Sequence, residues 1–240
     1  MGHKRGNPYD DPTRAEAYAG LEFPGTYYLA YRDLPALIAR YAAGTRALDF
    51  GCGAGRSTRF LRDLGFSVVG VDISPAMVAA AQARDPGGDY RVVMPGNLET
   101  LPPAGYDLIL SVFPFDNIPS GDRKVSTLRA LRSRLAAGGT IVNVSAAPAV
   151  YLNEWVSFST KDFPDNRVAV DGDQVWAVML DGPDRRPVSD VLWTEDGHHE
   201  VYLAAGLSVI ETRRPLGRPD EPFPWVTERT ISPWRIDVLQ

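Results

Sequence analysis

Asp49, Gly51, Gly53 and Gly55 stand at alternate positions and form the part of this sequence best suited to hold a small ligand. An apolar run precedes them, and a segment of helical character follows them and ends at Gly65. Glycines carry no Cβ atom, so a ligand can lie directly against the backbone of such a turn. The first N–H groups of the helix would point at that ligand. The spacing therefore predicts a strand, a ligand-binding turn and a helix.

A second acidic residue, Asp72, closes the next predicted strand, residues 67–72. In nucleotide-binding βαβ units, an acidic side chain at this place accepts hydrogen bonds from ribose hydroxyls. The dinucleotide fingerprint G-x-G-x-x-G requires a glycine where this chain has Arg56. We therefore expect a ribose-containing ligand, and a plain NAD-binding oxidoreductase is disfavoured.

Asp116 and Asn117 are the polar residues outside the glycine turn with the greatest chemical interest. They lie in a loop, residues 113–121, that follows the fourth predicted strand. In open α/β sheets, ligands bind beyond the carboxyl ends of the strands, where the strand order reverses. Two interpretations stay open for this pair: catalytic contact with a substrate, or a simple turn.

His198 and His199 lie near the start of the last predicted helix. His199 is a candidate general base, because histidine exchanges protons near neutral pH. A position on the solvent face of the helix is the alternative. The only acidic neighbours at ligand spacing in the sequence are Glu195 and Glu200, which are too few for a metal ion. The sequence therefore predicts no metal site.

The elements that must position these residues alternate between strand and helix up to residue 145. Strands are predicted at 47–50, 67–72, 90–94, 106–113 and 140–145, and helices at 13–21, 26–32, 34–41, 57–64, 74–84 and 122–135. Further on, a short helix is predicted at 148–158 and a three-stranded antiparallel insertion at 167–170, 175–180 and 187–193. A helix at 195–205 and an antiparallel strand pair at 207–212 and 234–239 complete the chain.

The glycine turn, the acidic strand end at Asp72 and the run YDLILS at 106–111 together resemble the class I S-adenosylmethionine-dependent methyltransferases, of the small-molecule type. The resemblance covers residues 46–145 without a break. It implies an α/β fold: a Rossmann-like seven-stranded sheet with an antiparallel last strand, an N-terminal helical lid and a small antiparallel β insertion. It also implies S-adenosyl-L-methionine as the cofactor and S-adenosyl-L-homocysteine as its product.

The resemblance further implies which residues meet this cofactor. They come from the N-terminal segment, the glycine turn and the strand ends: Tyr28, Arg32, Asp49, Gly51, Cys52, Gly53, Gly55, Asp72, Ile73, Met77, Asn97, Leu98, Ser111 and Phe113. Arg32 can pair with the cofactor's carboxylate and Tyr28 can face its sulfonium, or their helix simply packs on the sheet edge. Asn97 stands where many relatives have aspartate, and its amide oxygen can still accept a hydrogen bond from adenine.

The same resemblance divides the chain into four parts. These are an N-terminal helical lid (1–45), a cofactor-binding core (46–147), a β cap over the acceptor site (148–194) and a C-terminal helix and strands that complete the sheet (195–240). The implied reaction is in-line transfer of a methyl group to an O, N, S or C nucleophile of a small-molecule acceptor, helped mainly by positioning. A protein or RNA methyltransferase, and a cofactor-binding member without methyl transfer, are the alternatives.

The composition agrees with one α/β domain carrying an elaboration: 240 residues, of which 44% are hydrophobic and 23% charged. A net charge of −5 argues against a nucleic-acid partner. The single cysteine excludes an internal disulfide and suits a reducing compartment. No apolar run approaches the ~20 residues that span a bilayer. We therefore expect a cytoplasmic enzyme with a small-molecule acceptor and no membrane partner, as a monomer or a homodimer.

Overall fold

The computed structural model of the chain describes residue 18 and residues 20–22, 24–94 and 103–240. Its helices are α1 Gly25–Arg32, α2 Leu34–Tyr41, α3 Arg56–Asp63, α4 Pro75–Arg84, α5 Gly121–Arg132 and α6 Glu195–Ala204. Its strands are β1 Arg46–Phe50, β2 Ser67–Asp72, β3 Asp89–Val92, β4 Tyr106–Val112, β5 Leu135–Ala146, β6 Phe158–Ser159, β7 Gln174–Met179, β8 Val188–Val191, β9 Val209–Arg213 and β10 Trp234–Leu239. Most of the helix predicted at 13–21 lies outside the described residues.

Seven strands form one sheet in the order β3-β2-β1-β4-β5-β10-β9. The strands from β1 to β5 run parallel, and β10 is antiparallel to both of its neighbours. The strand order reverses between β1 and β4, so a crevice for ligands opens at the carboxyl ends of these two strands. This topology confirms the predicted Rossmann-like sheet with its antiparallel last strand.

The centre of the sheet is buried on both faces, which explains its continuous apolar runs. On β4, Leu108 and Leu110 face a core shared with α1 and α2, whereas Ile109 faces a second core shared with α5 and α6. All three side chains are fully buried. Because successive side chains of a strand point to opposite faces, this one segment anchors helices on both sides.

Side-chain caps set the starts of two helices. The hydroxyl of Ser74 accepts a hydrogen bond from the N–H of Met77 at 3.4 Å, and that of Thr194 accepts one from Gly197 at 3.1 Å. Asp33 behaves differently. It precedes α2, where an aspartate could cap the helix, but its carboxylate binds the guanidinium of Arg32 and makes no capping bond.

The insertion forms a separate antiparallel sheet in the order β6-β7-β8. Its last two strands confirm the prediction, but residues 167–170 are not its first strand. The side-chain amide of Asn166 donates to the carbonyl of Trp176 at 2.8 Å and accepts from its N–H at 3.0 Å. This amide therefore takes the place that a strand residue beside β7 would occupy, and the pairing strand lies earlier, at β6.

Two other boundaries differ from the prediction for the same kind of reason. Helix α5 ends at Arg132 and β5 already begins at Leu135, because Leu135 pairs with Tyr106 of β4 across a register shift. The helix predicted at 148–158 is a single 3₁₀ turn, Pro148–Leu152, followed by β6. In both places, residues that the local sequence pattern assigns to a helix pair instead with a distant strand.

Candidate active site

The side chain of Asp49 holds the turn after β1 to the helix that follows it. It is fully buried, and its Oδ2 atom accepts hydrogen bonds from the hydroxyls of Ser57 at 2.7 Å and Thr58 at 2.6 Å, both in the first turn of α3. Burial raises the pKa of this carboxyl group to about 6. Asp49 therefore holds the turn in place through its hydrogen bonds to α3.

The three glycines of the turn all have positive φ angles, of 76°, 52° and 84°. A Cβ atom on Gly51 would collide with Pro114, and one on Gly55 with Tyr90. A Cβ atom on Gly53 would meet no atom within 4 Å. The backbone at Gly53 thus borders an open space at the crevice of the sheet, as a site for S-adenosylmethionine requires.

The carboxylate of Asp72, at the end of β2, lies directly beside this open space. It accepts hydrogen bonds from the N–H of Gly53 at 2.9 Å and from the N–H of Ser74 at 2.8 Å. These two bonds fix the carboxylate next to the glycine turn, where a bound ribose would have to lie. The residues present therefore fit the cofactor at this end of the site.

An apolar surface continues the crevice beyond β2 and β3. Ile73 and Met94 follow these two paired strands, and their side chains are 45% and 59% exposed. Such a surface suits the flat adenine ring. Met77 is buried and packs against Ala54 beneath the turn, so it supports the loop from the core side.

Two further predicted cofactor residues have buried polar atoms. The thiol side of Cys52 packs against α4 and β3, and burial raises its pKa well above the usual value, which agrees with a structural role. Ser111, on β4, is fully buried, and within the described part of the chain its hydroxyl has no hydrogen-bond partner. Asn97 and Leu98 lie outside the described residues.

A cavity lies beyond the carboxyl end of β4; we name it the β4-edge cavity. It is lined from the core by Tyr27, Phe113, Asp116 and Trp234, and from the insertion by Met179 and Asp190. Phe113 adopts a left-handed backbone conformation, with φ of 72°, and its ring lies 4.6 Å from that of Trp234. This uncommon conformation for a bulky residue lies at the point where β4 ends and the chain turns along the cavity.

Asp116 and Asp190 bring two carboxylates to this cavity. Asp116 accepts a hydrogen bond from the N–H of Ala146 at 3.0 Å, and Asp190 accepts one from the hydroxyl of Tyr151 at 3.0 Å. Burial raises the pKa of Asp190 to about 6, and that of Asp116 well above its usual range. Asn117 also lines the cavity but is exposed.

Lys124 lies behind Asp116, on the buried face of α5. Its ammonium group donates a hydrogen bond to the carbonyl of Phe115 and lies 4.9 Å from the ring of Trp193. Burial lowers the pKa of this ammonium to about 8, against the opposing effect of Asp116 and Asp190. The three charged groups form one buried cluster that joins the core to the insertion.

Tyr28 and Arg32 are committed to the C-terminal loop. Arg32 binds Asp33 and donates to Glu221 at 2.7 Å and to the carbonyl of Leu216 at 2.9 Å. The ring of Tyr28 lies 5.2 Å from that of Phe223. A contact of either side chain with the cofactor stays a prediction.

The two histidines of α6 have opposite surroundings. His199 is exposed and does not line the β4-edge cavity, so a role as general base would require it to reach the substrate from the surface. His198 is buried near the hydroxyl of Tyr202, and burial lowers its pKa to about 3. Within the described part of the chain, no cluster of side chains suits a metal ion.

Sequence reasoning missed three charged residues at or near the site. Arg56 is enclosed by the rings of Tyr18, Tyr27 and Tyr31, at 5.2–5.7 Å. Lys124 and Asp190 complete the cluster beside Asp116. Only a weak pattern in the sequence indicates that Lys124 and Asp190 are buried. Lys124 precedes the buried Leu128 by four residues, and Asp190 shares a strand face with Val188.

Comparison with known proteins decides what this arrangement belongs to. Residues 48–141 match the family model described as "Methyltransferase domain". The chain is 26% identical over 219 residues to N-demethylindolmycin N-methyltransferase of Streptomyces griseus, covering 90% of this chain and 91% of that protein. The chain is an S-adenosylmethionine-dependent methyltransferase. Its cofactor is S-adenosyl-L-methionine.

Solved structures share this methyltransferase's fold along most of its length. The CcbJ methyltransferase from Streptomyces caelestis superposes with a TM-score of 0.61 at 20% identity, over 92% of this chain and 99% of the other. The structure of a DhpI–SAH complex superposes with a TM-score of 0.56 at 20% identity, over 95% and 92% of the two chains. None of the helices in the described part of the chain is long and apolar enough to cross a membrane.

Proposed function

We propose that this methyltransferase transfers the methyl group of S-adenosylmethionine to a small-molecule acceptor held in the β4-edge cavity. The observation that carries the proposal is the construction of this cavity. Its walls come from both the core and the insertion, and it combines aromatic rings with two buried carboxylates. Small-molecule sites are typically concave and mostly apolar, with a few polar groups that fix the orientation of the ligand.

The similarity to N-demethylindolmycin N-methyltransferase supports a small acceptor, because it extends over 90% of the chain and includes the insertion. A net charge of −5 speaks against a nucleic-acid substrate. We further propose that residues 1–45 act as a lid and residues 148–194 as a cap. Support comes from Tyr27 and Asp190, which bring these two segments to the same cavity.

The chemistry asked of the protein is mainly positioning. The cofactor supplies a methyl group that is already activated on a sulfonium. The chain's residues must hold the acceptor in line with the methyl carbon and exclude water, and correct orientation is worth up to about 7–11 kcal/mol. The rings of Tyr27, Phe113 and Trp234 lie within 5.9 Å of one another and can face a cation.

The decisive experiment follows the methyl group. The full chain is incubated with radioactively labelled S-adenosylmethionine and a cell extract, which is then separated into small molecules, protein and RNA. We expect the label in the small-molecule fraction. Label in protein or RNA would contradict the proposal, and binding of the cofactor without any label transferred would identify a member of the fold that lacks methyl transfer.

A further inference from the structure

The β4-edge cavity presents two carboxylates that are only half satisfied. Asp116 uses its Oδ2 atom to accept from Ala146, and Asp190 uses its Oδ2 atom to accept from Tyr151. Within the described residues, the Oδ1 atom of each has no hydrogen-bond donor, although both side chains line the cavity. Each side chain thus keeps one acceptor atom for which the described residues supply no donor.

One ammonium group faces the two carboxyl groups of the cavity. Lys124 is the ammonium group that acts on both Asp116 and Asp190. Nearby, Asp171 is bonded to the N–H and hydroxyl of Thr194, and His198 is neutral near pH 7 because burial depresses its pKa. Lys124 can offset one buried negative charge, and burial keeps the second carboxyl group, that of Asp116, protonated unless a further positive charge enters the cavity.

Other charged groups near this cluster have partners of their own. The guanidinium of Arg235 donates a hydrogen bond to the carboxylate of Asp237 at 2.7 Å. Arg56, the first residue of α3, lies against the rings of Tyr27 and Tyr31. A positive charge that lets both Asp116 and Asp190 ionise would therefore come from the ligand.

Aromatic rings surround the same space. Trp234 stacks on Tyr27 with ring centroids 5.9 Å apart, and Phe158 meets both rings edge-on. The faces of such rings attract cations, and their bodies bury apolar groups. The cavity thus offers carboxylates for a cation and rings for an apolar or flat substituent.

We infer that the acceptor is an amine whose protonated nitrogen lies between Asp116 and Asp190, with its apolar part against the rings of Tyr27 and Trp234. This inference rests on the proposed function and gives it a substrate class. A hydroxyl or thiol acceptor enters neutral and leaves one of the two carboxyl groups protonated. An ammonium group allows both to ionise and supplies hydrogen-bond donors for their Oδ1 atoms.

The transfer step follows from this placement. The amine enters as R–NH₃⁺, and one of the two carboxylates takes a proton from it, which leaves R–NH₂. The nitrogen lone pair forms the new bond to the methyl carbon while the carbon–sulfur bond breaks, and that electron pair stays on sulfur. The product is R–NH₂⁺–CH₃ beside a neutral thioether, and the carboxylic acid returns its proton to solvent. Tyr151 acts as a positioning residue, since it orients Asp190.

The test uses matched probes that differ in charge and little in shape: 2-phenylethylamine against 2-phenylethanol, and tryptamine against tryptophol. The full chain is incubated with each probe and methyl-deuterated S-adenosylmethionine, and products are identified by mass spectrometry. We expect deuterated methyl on the nitrogen of an amine and none on the alcohols. Methylation of an alcohol, or no methylation of either amine, would overturn the inference.

The variant Asp190→Asn removes the charge but keeps an oxygen that can accept from Tyr151. We expect kcat/KM for the amine to fall roughly 30-fold or more, because one partner of a buried charge pair is lost. Asp165→Asn is the matched control, since Asp165 is an exposed residue of the same insertion and does not line the cavity. Equal activity of Asp190→Asn and wild type would contradict the inference.

A binding measurement keeps the result independent of turnover. Calorimetry on protein saturated with S-adenosylhomocysteine should show heat with 2-phenylethylamine and none with 2-phenylethanol, and Asp190→Asn should abolish this difference. Equal affinity for the two probes, or no binding of either probe, would contradict an amine acceptor. The proposed function fails by a different readout: no heat on titration of the wild type with S-adenosylhomocysteine alone, or label found only in protein or RNA.

Discussion

At the scale of single residues, burial decides the charge state of the groups that flank the site. His198 and His199 are neighbours in sequence, yet one is enclosed between α6 and the sheet and the other faces solvent. Desolvation favours the neutral imidazole of His198 and lowers its pKa from 6.5 to about 3. His199 faces solvent, so the pair separates a buried from a solvated histidine in one helix.

This contrast predicts how stability depends on pH. Between pH 6.5 and pH 3 the unfolded chain binds a proton at His198 and the folded chain does not. Acidification therefore lowers the free energy of unfolding. The contribution grows by about 1.4 kcal/mol per pH unit below 6.5, which makes it roughly 2 kcal/mol at pH 5. We expect His198→Gln to reduce the difference in unfolding free energy between pH 7 and pH 5 by that amount.

Urea unfolding at both pH values measures the effect, and the comparison is made within each variant, so a general loss of stability cancels. His199→Gln serves as the control and should leave the pH dependence unchanged. If His198→Gln keeps the pH dependence of the wild type, then His198 binds a proton as readily in the folded wild-type protein as in the unfolded chain, and the prediction is wrong.

Asp72 carries the second prediction at this scale. Its carboxylate lies against Gly53 and Ser74, where a ribose would bind. A hydrogen bond to a charged group contributes about 1.5–3 kcal/mol, so Asp72→Ala should weaken binding of S-adenosylhomocysteine roughly 10- to 100-fold. Isothermal calorimetry measures the affinity. Asp63→Ala, at the exposed end of α3, is the control, and an equal loss there would contradict the assignment.

At the scale of elements, the glycine turn could be predicted from sequence because its geometry depends on residues next to one another. Positive φ angles at the glycines and a buried strand end are both local requirements. The insertion shows the opposite case. The side chain of Asn166 replaces a strand beside Trp176, and such a substitution leaves no alternating pattern to read.

Gly53 and Gly65 offer a matched pair for testing the turn. Both have positive φ angles, and a Cβ atom at either position meets nothing within 4 Å. Alanine at either position should therefore lower the free energy of unfolding by about 1–2 kcal/mol, because of backbone strain alone. Only Gly53→Ala should also lose binding of S-adenosylhomocysteine, because its methyl group enters the open space beside Asp72.

The two readouts are urea unfolding and calorimetry. Equal binding of S-adenosylhomocysteine by both variants would show that the space beside Gly53 is not where the cofactor lies. Unequal losses of stability would show instead that one of the two turns carries a constraint besides its φ angle.

At the scale of the whole molecule, one buried carboxylate joins three segments that are far apart in sequence. Glu228 accepts hydrogen bonds from the hydroxyl of Thr26 at 2.6 Å and from the N–H groups of Val156, Val226 and Thr227 at 2.8–3.1 Å. The N–H of Thr26 in turn donates to the hydroxyl of Ser157 at 2.8 Å. The N-terminal helix, the insertion and the C-terminal loop are thereby held around the β4-edge cavity.

This junction predicts a large effect of a small change. In Glu228→Gln, an amide NH₂ replaces one oxygen and faces donors instead of accepting from them, which leaves buried groups unsatisfied. We expect a loss of about 3 kcal/mol in unfolding free energy, measured by urea denaturation. Glu200→Gln, on the exposed face of α6, should change stability by no more than about 0.5 kcal/mol. Equal effects of the two substitutions would contradict the role of Glu228.

The elements of the core, their order and the glycine turn could all be predicted from the amino-acid sequence alone. These depend on spacing within a few residues: three glycines before α3, Ser74 before Pro75, an acidic residue at the end of β2. Only the tertiary structure decided that Asp116 and Asp190 share a cavity, that Lys124 lies behind them, and that Arg32 serves the C-terminal loop. The physical reason is that these contacts arise when separate surfaces dock, and periodicity within one segment records which face is buried but not what covers it.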